Sequence, residues 1–131
     1  MVRFILVAVV LLFTTEMALA VNAPKLPVNA RKLTGAEIVA LYGVGSFRFH
    51  NFTGKQSVTG TFRVNFTKKT ASGTFVDGKG KGTWSGTVRI SGDRFCRKIS
   101  KRREGCVSVY VDGTTIYEVN GSGVVESRNS R

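Results

Sequence analysis

The sequence predicts a mainly β protein, a small antiparallel barrel or bent meander of about seven strands with one short N-terminal helix. Three observations carry this. From Gly45 onward, apolar residues recur at every second position, the period of a strand with one buried face. Turn-like clusters separate these runs at near-regular spacing. The chain has 15 glycines and only 2 prolines, a balance that suits tight turns in a sheet better than a disordered tail.

The first segment, Met1–Ala20, reads as a signal peptide. Arg3 supplies the positive charge, Phe4 to Phe13 the apolar run, and Ala18-Leu19-Ala20 the small-residue site before Val21. The run is shorter than the roughly 20 residues a bilayer crossing takes, and nothing later is apolar enough to span. The protein is therefore expected to be exported, periplasmic or secreted after cleavage. Residues 21–131 suffice for one small domain. An extended lead-in is expected over 21–32, where both prolines lie, a single β-rich domain over 33–125, and a frayed tail over 126–131.

The helix follows the lead-in. Thr34 is a suitable N-cap, and Glu37 three residues on completes a capping box. Leu33 and Ile38 are placed as a hydrophobic staple, and Gly43 supplies the stop. Ile38, Leu41 and Tyr42 form an apolar stripe that should plug one end or one face of the sheet. The strands come next. Phe47 and Phe49 alternate with polar residues, as do Phe62, Val64 and Phe66, then Trp84, Val88 and Ile90. The Asp77–Gly80 and Asp112-Gly113 segments read as turns, and Ile116–Val119 as a further strand. Trp84, Phe62, Phe95 and Val109 should be buried.

Both cysteines fall in the central stretch 82–113. If Cys96 faces Cys106 in an antiparallel pair, Phe95 lies opposite Val107 and Arg97 opposite Gly105. Phe95, Val107, Val109 and Val111 then share one face. Directly opposed cysteines are close enough to bridge, and export favours the bridge over two free thiols.

The formal net charge is +12, which loss of the signal segment leaves unchanged. Arg94, Arg97, Lys98, Lys101, Arg102 and Arg103 crowd around the first cysteine and the turn beyond it, a candidate binding tip. Such a tip suits an anionic lipid, lipopolysaccharide or an acidic protein, and it also serves simply as a solvated turn that discourages strand pairing. Nucleic acid is not favoured, because stacking wants exposed aromatics between the charges and Phe95 points to the core.

Five segments together carry a resemblance: Leu33-Thr34-Gly35-Ala36-Glu37-Ile38, Gly82-Thr83-Trp84, Gly92-Asp93-Arg94-Phe95-Cys96, Cys106-Val107-Ser108-Val109-Tyr110 and the Asp112-Gly113 turn. With them the chain resembles a family of small exported proteobacterial proteins catalogued only as a domain of unknown function. The resemblance implies an envelope or secreted β-rich domain with one disulfide, and it brings no catalytic residues.

A chemical motif is not evident. His50 is the single histidine and falls on the outward side of its strand. Asp77, Asp93 and Asp112 sit at turns, where Asp bonds to the backbone. Neither a metal nor a cofactor is expected. Two functions stand at this level. One is a non-enzymatic binding protein acting through the cationic tip. The alternative is a small enzyme or enzyme inhibitor with a pocket at the helix-plugged end of the sheet.

Overall fold

A computed structural model describes residues 23–54 and 57–131. The expected signal peptide, residues 1–20, and the start of the lead-in lie outside the described residues.

The elements run β1 (Arg31–Lys32), α1 (Gly35–Tyr42), β2 (Phe47–Asn51), β3 (Val58–Asn65), β4 (Thr70–Asp77) and β5 (Gly80–Ser91). They continue with β6 (Arg94–Ile99), β7 (Gly105–Asp112), β8 (Thr115–Val119) and β9 (Val125–Ser130). Each of β2 to β8 pairs antiparallel with its successor, and β9 returns between β8 and β2 to close the barrel. The barrel thus has eight strands, with the two-residue β1 laid along β7 as a ninth. The strands expected from alternation are β2 to β8. The eighth is the tail: residues 126–131 do not fray but supply most of β9, which bonds on both sides.

The cysteine register is the one alternation predicts, with Phe95 opposite Val107, Cys96 opposite Cys106 and Arg97 opposite Gly105. Cys96 and Cys106 are bridged. Closing so short a loop restricts the unfolded chain and contributes about 3 kcal/mol.

Why the sheet closes is visible in its glycines. Gly60, Gly73, Gly82 and Gly86 occupy inner-face positions on β3, β4 and β5, in the same alternation as Phe62 and Trp84. A Cβ on Gly73 would stand 1.7 Å from the Thr61 carbonyl oxygen, and one on Gly60 1.9 Å from that of Thr74. The two strands therefore approach and bend as only glycine permits, a device that turns a sheet into a barrel.

Helix α1 seals one end. Thr34 accepts from the Glu37 amide while Glu37 accepts from the Thr34 amide, the reciprocal capping box. The helix start also seats on the β5–β6 turn, where Gly35 N–H donates to Asp93 Oδ1 at 2.8 Å. Ile38 and Tyr42 are fully buried among Phe47, Phe62, Val88, Phe95 and Val109. A second, outer cluster joins Phe52, Val119 and Val125 with Tyr110, Tyr117 and the lead-in residues Ala23 and Leu26. The lead-in is thus a strap on the barrel wall. Among the described residues, no helix is long and apolar enough to cross a membrane.

Candidate functional site

Inner-face side chains are large near the helix and small or polar toward the other end. Aromatic rings fill the helix end: Tyr42 meets Phe47, Phe62 and Phe95 edge-on at centroid distances of 5.2 to 5.3 Å. Beyond them the lumen opens into a cavity of about 1000 Å³, bounded by Phe49, Phe62, Trp84, Arg97, Glu118 and Asn129. Its mouth is formed by strand ends remote from the helix, at Thr53, Asp77 and Arg102. The pocket thus lies at the end opposite the helix and not at the helix-plugged end expected from the sequence, because Tyr42 and its aromatic neighbours fill the helix end.

The cavity floor carries a polar network. Tyr42 Oη donates to Glu118 Oε2 at 2.7 Å, and Asn129 Nδ2 donates to both Tyr42 Oη (2.9 Å) and Glu118 Oε2 (3.1 Å). Ser127 Oγ donates to Asn129 Oδ1 at 2.6 Å. Arg97 Nη2 reaches Glu118 Oε1 at 3.3 Å, and its guanidinium lies over the Phe95 ring at 5.8 Å. The Glu118 side chain is 1 % exposed and that of Arg97 24 %, so the pair sits at the boundary between core and cavity. Burial, then the charge of Glu118, push the Tyr42 phenol well above its ordinary pKa, so it stays a donor to Glu118.

Trp84 departs from expectation. Phe62, Phe95 and Val109 are buried as predicted, but Trp84 is only partly covered and lines the cavity. The cause is its neighbourhood, since Gly73 and Gly82 bring no side chain to cover the indole. Its Nε1 is nevertheless buried and has no hydrogen-bond partner among the described residues.

The six cations of the candidate tip are not brought together. Arg97 turns inward to Glu118. Arg94 points outward and donates to the Cys106 carbonyl at 2.7 Å. Lys98 is exposed and alternates with Arg97 to the opposite face. Lys101, Arg102 and Arg103 are exposed in the β6–β7 turn, and of these Arg102 borders the mouth. Period-two alternation separates residues that sequence proximity had grouped. Glu104 is held by Arg89 on the outer wall, and that guanidinium keeps its carboxyl below the usual range.

Sequence reasoning did not single out Glu118, Ser127 or Asn129. A usable signal was present for Glu118, which shares its alternation with Ile116. His50 lies on the outer face, its ring nitrogen within 2.6 Å of Ser57 Oγ. Among the described residues, the one cluster of three metal-donor side chains is Cys96, Glu104 and Cys106, and the disulfide occupies both sulfurs.

Fold and site together define a closed antiparallel barrel with a helix-sealed base and an open, partly polar lumen. The chain belongs to a family described as a protein of unknown function (DUF995), whose model matches residues 9–124. No curated protein and no solved structure matches it.

Proposed function

We propose that this is a non-enzymatic exported protein, periplasmic or secreted, that holds one small, largely apolar ligand in the barrel lumen. The carrying observation is the cavity: about 1000 Å³ in the open half of an eight-stranded barrel whose other half is packed solid. Barrels of this strand number are just wide enough to hold one small ligand, and concave, mostly apolar walls with a few polar groups are what such sites use. Phe49, Phe62 and Trp84 supply the apolar wall. Export is supported by the Met1–Ala20 pattern and by the Cys96–Cys106 bridge, a bond that persists in oxidising compartments. Lys101, Arg102 and Arg103 at the rim suit an approach to an anionic lipid, lipopolysaccharide or an acidic protein, from which a ligand would be collected.

Titration with the neutral dye phenylnaphthylamine tests the reading. The dye should brighten and saturate near one equivalent while emission of Trp84, the chain's single tryptophan, falls by energy transfer. A dye that stays dark, or brightens without loss of Trp84 emission, overturns lumen binding.

A further inference from the structure

We infer that the lumen ligand carries a carboxylate, seated on the Arg97 guanidinium. The inference rests on the lumen being the binding site and goes on to name the chemistry of its occupant. The polar groups around the cavity are unequally satisfied. On the cavity floor the acceptors are engaged: Glu118 Oε2 by Tyr42 and Asn129, Glu118 Oε1 by Arg97, and Asn129 Oδ1 by Ser127. The Arg97 donors are not. Arg97 has a fork of five N–H donors, and the hydrogen bond it makes among the described residues is a single long one to Glu118. Arg97 lines the cavity.

An occupant that completes this wall must bring acceptors. A carboxylate matches the guanidinium fork with two oxygens, which a neutral carbonyl cannot do. Glu118 does not forbid a second carboxylate nearby, because its own charge already faces Arg97 and both its oxygens are engaged. The net charge of +12 and the rim cations Lys101, Arg102 and Arg103 raise the local concentration of anions over neutral molecules of the same shape.

Calorimetry with octanoate and octanol separates the acid from its neutral counterpart. Octanoate should bind about tenfold more tightly or better, as hydrogen bonding to a charged group allows. Arg97→Lys keeps a cation for Glu118 and removes the fork. The variant should shrink the acid-to-alcohol ratio toward unity, with the dye still bound as proof of an intact lumen. Equal binding of acid and alcohol, or a ratio that survives Arg97→Lys, overturns the carboxylate and leaves lumen binding standing. If neither compound binds while the dye does, the carboxylate inference falls alone. If the dye fails as well, lumen binding falls and takes the inference with it.

Discussion

Tyr42 is where helix, barrel wall and lumen meet, since its ring touches three phenylalanines and its hydroxyl anchors Glu118. Tyr42→Phe leaves Glu118 and Asn129 each short of a partner and should cost about 1–3 kcal/mol, measured by urea unfolding. The pH dependence follows from the raised phenol pKa. The folded protein keeps a proton that the unfolded chain releases near pH 10, so this contribution is complete below about pH 10 and declines as pH rises above it. Tyr42→Phe should flatten that alkaline decline, and identical slopes for the two proteins would count against it. A second contrast uses the two aromatics that alternation treated alike. Phe62→Ala empties a packed site and should cost about 3–5 kcal/mol. Trp84→Ala should cost measurably less, because part of the indole faces the cavity rather than core atoms. Residues whose roles depend on near neighbours were legible in the sequence, as Thr34 with Glu37 and Cys96 with Cys106 show. Glu118 and Asn129 were not, because their partners lie 76 and 87 positions away at Tyr42.

Strand β9 is the element that sequence patterning missed, and the reason is chemical. Its inner positions are Ser127 and Asn129, both buried, so the inward face lacks the apolar alternation that marks the other strands. A polar lumen erases the usual strand signal, and the same polarity makes β9 part of the candidate site. Helix α1 shows the converse, since its cap, stripe and stop all lie within ten residues and all read correctly. Removing residues 125–131 should therefore do far more than trim a tail. It would bare the edges of β2 and β8 and take Ser127 and Asn129 from the network. The expected outcome is loss of cooperative thermal unfolding and a tendency to aggregate through the open edges. A truncated chain that melts cooperatively at the parent temperature would show that β9 contributes little to closure.

At the scale of the whole molecule, the barrel converts a run of adjacent cations into two populations. Arg97 becomes part of the lumen, whereas Lys101, Arg102 and Arg103 stay exposed in the β6–β7 turn, with Arg102 bordering the mouth. Near an anionic surface each exposed cation is worth about 1 kcal/mol, and that attraction fades within a Debye length, about 10 Å at 0.1 M salt. A triple Lys101/Arg102/Arg103→Ser variant should therefore fold normally, since none of these side chains is buried, and should leave anionic vesicles or immobilised lipopolysaccharide at lower salt than the parent. Net charge alone would produce a shift of the same sign, so a matched control must remove three cations elsewhere. Arg31 is unsuitable because it pairs with Glu37 beside the helix cap. Lys32, Arg63 and Lys68 are exposed and do not line the cavity, and their triple serine variant lowers the charge equally. A rim that orients the barrel mouth-down predicts a larger shift for the mouth triple than for the control. Equal shifts would reduce the rim to its share of a uniformly basic surface. Absence of binding by the parent protein at low ionic strength would remove anionic surfaces from its partners.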